Sequence, residues 1–143
     1  MSDSDHVRGR TSSAVNDQID RETLQRLRSF ADDSGDAMEE HVRRLEKEWD
    51  IERMLEINAA TIGLIGLGLG IARGRRWLVL PAAIFSFLGL HALQGWCPPV
   101  PLFRRMGVRT RREIERERYA VKGMRGDFEG TRGRSQAAWR AVR

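Results

Sequence analysis

The chain has a single cysteine, Cys97, among its 143 residues. An intrachain disulfide is therefore impossible, and a zinc cluster built from several cysteines of one chain is excluded. Lysine is almost missing as well. Lys47 and Lys122 are the two present, so 23 of the 25 basic residues are arginine. The arginine-rich segments have no interleaved aromatics and no recognisable nucleic-acid module, so nucleic acid is not an expected partner. No catalytic triad, phosphate loop or pair of carboxylates on a folded scaffold occurs, so the sequence predicts neither an enzyme nor a bound cofactor or metal. The first residues, MSDSDHVRGRTSSAV, lack an apolar core segment. No cleavable signal peptide is expected, and the first hydrophobic segment should itself direct insertion.

The most informative absence is of charge. Residues 57–72 and 77–103 contain no Asp, Glu, Lys or Arg. Within the second stretch His91 and the Cys97 thiol are the ionisable groups. The averages, 31% charged and 41% hydrophobic with a mean hydropathy of −0.49, would suit a soluble domain, but the apolar residues are segregated rather than spread. About 18 residues from Leu55 to Ala72, at ~1.5 Å each, reach ~27 Å, enough for a hydrocarbon core. The turn Arg73-Gly74-Arg75-Arg76 leads into a second segment, residues 77–96. Pro81 falls in its first turns, where a missing N–H matters little, and Pro98, Pro99 and Pro101 stop it. A small soluble fold could not bury two such helices on every side. The predicted fold is all-α: a two-span transmembrane helical hairpin, spans about 55–72 and 77–96, with amphipathic cytoplasmic helices on either side. Trp49, Trp77 and Trp96 suit interfacial anchors, and Arg104 and Arg105 follow the second span as headgroup partners.

The chain divides into a disordered N-terminus (1–16), a cytoplasmic helical segment (17–54), the hairpin domain (55–110), and a basic C-terminal helix with a mobile tail (111–143). In the second part Ile19, Leu24, Leu27 and Ala31 recur at helical intervals, and Asp33 or Ser34 can cap the next helix. That helix starts near Asp36 and need not stop at the membrane. Its stripe Met38, Val42, Leu45 and Trp49 can pair with another chain, pack on a local partner or lie on the membrane surface. Thr110-x-x-Glu113 has the form of a capping box for a helix over 111–122, and residues 135–143 can form a helical turn on lipid.

Charge also sets orientation. Arg43, Arg44, Lys47, Arg53, Arg104, Arg105, Arg109, Arg111 and Arg112 flank the outer ends of the spans, nine against the three arginines of the turn. The positive-inside rule then puts both termini in the cytoplasm. The net charge of +5 fits anionic headgroups. Close packing, not apolar burial, holds helices together in lipid. Ala59, Gly63, Gly66 and Gly70 make one small-residue stripe, and Ala82, Ser86 and Gly89 make another. They can face each other within the hairpin or face a second copy, giving a homodimer. Asn58 and Thr61 can add hydrogen bonds between helices.

The segment Gln94-Gly95-Trp96-Cys97-Pro98, followed by Leu102-Phe103-Arg104-Arg105-Met106-Gly107-Val108-Arg109-Thr110, resembles the end of the YgaP-like two-helix transmembrane domain. Asp50-Ile51-Glu52-Arg53 is similar to that family's entry motif. The resemblance covers residues 49–110 and implies a bacterial inner-membrane location. The family domain is sometimes fused to a rhodanese, which carries sulfur as a cysteine persulfide; here such a role would need a separate rhodanese-like partner. Cys97 thus has two readings: a thiol activated by nearby arginines, or a small residue fitting a helix end. His91, Gln94 and Cys97 lie broadly on one side of a helix, where a metal or proton site competes with ordinary polar satisfaction. Two functions follow. One is a non-enzymatic membrane module that self-associates or recruits a partner. The other is a membrane accessory in sulfur-transfer or thiol chemistry through Cys97. A transporter would require oligomerisation.

Overall fold

A computed structural model describes residues 5–30, 35–95 and 97–142. These form helices α1 (His6–Arg10), α2 (Ser13–Ser29), α3 (Gly35–Lys47), α4 (Ile51–Arg73), a 3-10 turn (Arg75–Leu78), α5 (Val79–Gln94), α6 (Val100–Arg105), α7 (Arg111–Arg125) and α8 (Ser135–Val142). No strand occurs among the described residues. Two helical stretches are long and apolar enough to cross a membrane, one within Gly35–Arg73 and one at Arg75–Gln94. The described residues fall into two compact units. One holds 5–16 and Trp49–Thr110, the other Asp17–Glu48 and the residues from Arg111.

In the first unit, α4 is a separate helix and does not continue α3. Residues 48–50 are non-helical, and Asp50, in extended backbone, accepts the Arg53 N–H at 2.8 Å. This N-cap satisfies one of the first turn's unpaired donors and fixes where the helix begins. The Ile51 N–H is taken by the Arg109 carbonyl at 3.0 Å. At the far end of α5, Gly95 closes the helix in the left-handed region (φ 70°), its N–H returning to the His91 carbonyl at 2.7 Å. A side chain there would be strained by that φ and would also collide with His6.

Helices α4 and α5 pack side by side. A Cβ placed on Gly63 would lie 3.2 Å from Phe85 Cζ, one on Gly66 2.6 Å from Pro81 Cδ, and one on Gly70 2.5 Å from Leu78 Cδ2. The partner number falls as the glycine number rises, so the two helices run antiparallel. At their other end Ile51, Leu55, Cys97 and Val100 form a core joined by Val7 of α1, with Phe103 and Val108 packed on it. The expected disorder of the N-terminus is therefore corrected for residues 5–16; residues 1–4 lie outside the described ones. One apolar side chain, Val7, ties α1 into the core, and Asp5 caps it by accepting the Arg8 N–H at 3.0 Å.

In the second unit Phe30, Met38, Val42 and Val121 form the core, with Leu27 and Ala37 against it. The α3 stripe thus packs on a local partner, α7. Trp49, expected to extend that stripe, stands outside the helix and is half exposed. The caps expected at Asp33 or Ser34, and Ala31 of the preceding stripe, lie outside the described residues. Helix α7 runs to Arg125, three residues beyond its expected end. The tail, expected to be mobile, forms α8: Ala141 is buried and its carbonyl accepts from Lys122 Nζ at 3.2 Å.

Candidate functional site

The largely apolar cleft of the first unit lies between α4 and α5. It has a volume of about 370 Å³. Asn58 and Ala59 of α4 face Phe87 and Leu88 of α5 across it, and Cys97 and Pro98 line its end. The positions follow from sequence: the helix-ending Gly95 and the proline pair turn the chain back, which returns Cys97 to the start of α4.

That placement decides the character of the thiol. Cys97 is 7% exposed and sits among Val7, Leu55 and Val100. Burial pushes its pKa up, because a thiolate loses more solvation than a thiol. The nearest arginine expected to activate it is engaged elsewhere. Arg104 is 1% exposed and donates from Nε to Thr11 Oγ1 (3.2 Å), from Nη1 to the Val108 carbonyl (3.1 Å) and from Nη2 to Asn16 Oδ1 (2.9 Å). This also corrects Arg104 as a headgroup anchor: the N-terminal segment supplies the acceptors that draw it inward. Arg105 is exposed. Thr110, at the other edge of the same contact, donates to Asp5 Oδ2 at 2.7 Å.

The first small-residue stripe meets α5 within the chain. The second does not face it. Ala82, Ser86 and Gly89 are exposed, and nothing lies within 4 Å of a Cβ on Gly89. Helix α5 turns Leu78, Pro81 and Phe85 toward the glycines instead, large side chains filling the space that small ones leave. The hydrogen bond expected between helices from Thr61 is made within α4, to the Ile57 carbonyl at 2.7 Å, and Ser86 likewise bonds Ala82 O at 2.8 Å. Of the proposed anchors, Trp49 has the Arg53 guanidinium 5.7 Å from its ring centre, and Trp77 is half-buried in the 3-10 turn. Trp96 lies outside the described residues. Gln94 is exposed while Cys97 is in the core, so with His91 they do not form one centre. No group of three His, Cys, Asp or Glu side chains suited to a metal occurs among the described residues.

A buried charge cluster in the second unit had no place in the sequence reading. The Glu117 side chain is fully buried on α7. It accepts from Arg26 Nε at 2.9 Å and Nη2 at 3.1 Å, and its Oε1 lies 2.9 Å from His41 Nε2. The available signal was its register: Glu117 falls three residues after Ile114 and four before Val121, on the apolar face of α7.

No family model, no characterised protein and no solved structure matches the chain. The functional argument accordingly rests on geometry and composition.

Proposed function

We propose that this chain is a small integral membrane protein of the bacterial inner membrane. Its α4 and α5 cross the bilayer as a hairpin, its amphipathic helices and both termini are cytoplasmic, and it acts as a non-catalytic module that self-associates or recruits a partner. One observation carries the membrane reading. Large apolar side chains point outward all along both helices: Leu64 is 69% exposed, Ile71 81%, Val79 71% and Leu93 78%. A soluble protein uses such helices as its core, whereas here 17% and 6% of the two apolar windows are buried. The nine-to-three excess of basic residues outside the turn supports the orientation. The resemblance at residues 94–98 supports the compartment. Burial of Cys97 weighs against the reading through thiol chemistry.

The exposed small-residue face of α5 supports a second copy as partner, since α4 uses its own stripe within the chain. With Cys97 replaced by Ala, Ser86→Cys is expected to give a disulfide-linked dimer in native membranes under mild oxidation, and adding Gly89→Leu to reduce it several-fold. Equal crosslinking from Leu64→Cys, on the opposite helix, would overturn this interface.

Orientation needs exposed probes, because Cys97 is too buried to report. In the Cys97→Ala background, Met106→Cys (Met106 is 68% exposed) should resist a membrane-impermeant maleimide in intact cells. Ala72→Cys and Gly74→Cys should react. Two turn positions are used because Gly74 has φ 117°, which strains any other residue. The opposite labelling would reverse the topology, and release of the protein by alkaline carbonate would remove the membrane reading altogether.

A further inference from the structure

Lys122 lies on α7 and is 4% exposed. Among the described residues its ammonium makes one hydrogen bond, to the Ala141 carbonyl at 3.2 Å, and no ion pair. An ammonium has three donors, and buried amines are ordinarily paired. Two donors therefore remain to be satisfied, and the residue lines a cleft of about 680 Å³ formed by α3, the end of α7 and α8.

The charges on that cleft are unevenly matched. Its three carboxylates each already have an arginine. Glu39 pairs with Arg43 at 2.6 Å, Asp127 receives Arg125 Nε at 2.7 Å and Nη2 at 2.5 Å, and Glu46 pairs with Arg118 at 2.9 Å. Arg140 of α8 lines the same cleft and has no ion-pair partner among the described residues. Lys122 and Arg140 are thus two cations of the cleft that no carboxylate among the described residues pairs with directly. Burial, together with the neighbouring Arg118 and Arg125, holds the Lys122 pKa below its ordinary value, and Asp127 and Glu46 offset this in part. A bound anion would relieve the imbalance. A divalent cation would have to displace three arginines from their carboxylates.

We infer that this cleft binds a phosphate group, with Lys122 and Arg140 as its principal contacts and Arg43 and Arg125 at its rim. Four basic side chains of both kinds suit that ligand: arginine offers a planar fork and lysine a compact charge. The inference goes beyond the membrane reading and does not depend on it, since the group can belong to a lipid headgroup or to a soluble phosphate compound.

Calorimetric titration of the full chain in uncharged-detergent micelles at low ionic strength tests it, with inorganic phosphate and dihexanoylphosphatidylglycerol as separate probes. Saturable binding of at least one probe is expected. Arg140→Gln should weaken it by about tenfold, as loss of one charge-assisted contact implies. Lys122→Gln should abolish it. Lys122 also holds α8, so the exposed Arg140 keeps the test independent of folding. Arg28→Gln, an exposed arginine of α2 off the cleft, should leave binding unchanged. Saturation by both probes identifies a soluble phosphate compound as sufficient, and saturation by the lipid alone identifies a headgroup. No saturation by either, or equal weakening by Arg28→Gln and Arg140→Gln, overturns the inference.

Discussion

Replacing Glu117 with alanine is expected to destabilise the Asp17–Glu48 and Arg111-onward unit by about 3 kcal/mol, near the low end for breaking a buried pair. The carboxylate is fully buried and holds Arg26 through two hydrogen bonds and His41 through one. Its removal leaves a buried imidazole without this partner and a guanidinium that retains Thr23 Oγ1 but loses both bonds to the carboxylate. The Arg26 side chain is 36% exposed and can recover part of its hydration, which is why the upper end of the range is not expected. The exposed Arg43–Glu39 pair is the control. It is shorter, at 2.6 Å, but both side chains are at least half exposed, so Glu39→Ala should change stability by less than about 1 kcal/mol. Urea unfolding followed by proteolysis of the helical unit, in micelles, measures both. Replacing Arg26, His41 and Glu117 together, as Arg26→Met, His41→Leu and Glu117→Leu, should restore part of the loss, because neither of those two donors is then left facing a missing carboxylate. A Glu117→Ala chain as stable as Glu39→Ala would mean that the cluster does not hold these helices.

The contrast between those two pairs explains much of what the sequence disclosed and what it hid. The long apolar helices were legible because a charge-free run is a local property: residues 57–72 and 77–103 need no partner to be recognised as helices long and apolar enough to cross a membrane. So was the stop at Pro98, Pro99 and Pro101, since prolines act on their immediate neighbours, whereas the caps at Asp50 and Gly95 that set the helix ends were not anticipated. The contacts that tie remote segments together were not. Arg104 bonds Thr11 and Asn16, which lie 93 and 88 residues away, and Thr110 reaches Asp5 across 105. The segment supplying those acceptors has the composition of a disordered tail, and Val7 alone commits it to the core. An arginine just past a membrane span reads as a headgroup anchor until the acceptors that turn it inward are known. A helical turn over 135–143 was legible, but the Ala141–Lys122 contact that secures α8 to its own chain was not. For the candidate cleft at Cys97, the sequence identified the thiol and the small-residue stripe of α4. The surroundings that raise the thiol's pKa come from α1, α4 and α6, and no local pattern encodes them.

Gly66→Leu is expected to separate α4 from α5, and the size of the effect follows from what surrounds each glycine. A Cβ at position 66 meets the Pro81 ring at 2.6 Å and Leu80 Cβ at 3.2 Å. Neither can rotate away, because one belongs to a closed ring and the other is fixed by the backbone. Even Gly66→Ala should therefore cost about 1–3 kcal/mol by overpacking, and leucine more. At position 70 the first contact is the end of the Leu78 side chain, which can change rotamer, so Gly70→Ala should cost less. At position 68 nothing lies within 4 Å, and Gly68→Ala should be neutral or stabilising by up to about 1 kcal/mol through helix propensity. Thermal unfolding in micelles orders the three variants. The same ranking separates packing within the chain from packing between copies. Gly66 packs on Pro81 and Leu80 of the same chain, so its loss should lower the stability of the single chain. Gly89 lies on the exposed face of α5, so Gly89→Leu should reduce Ser86→Cys crosslinking and leave that stability unchanged. A Gly66 variant that kept full single-chain stability but lost the dimer would move the homodimer contact to α4 and overturn this assignment of faces.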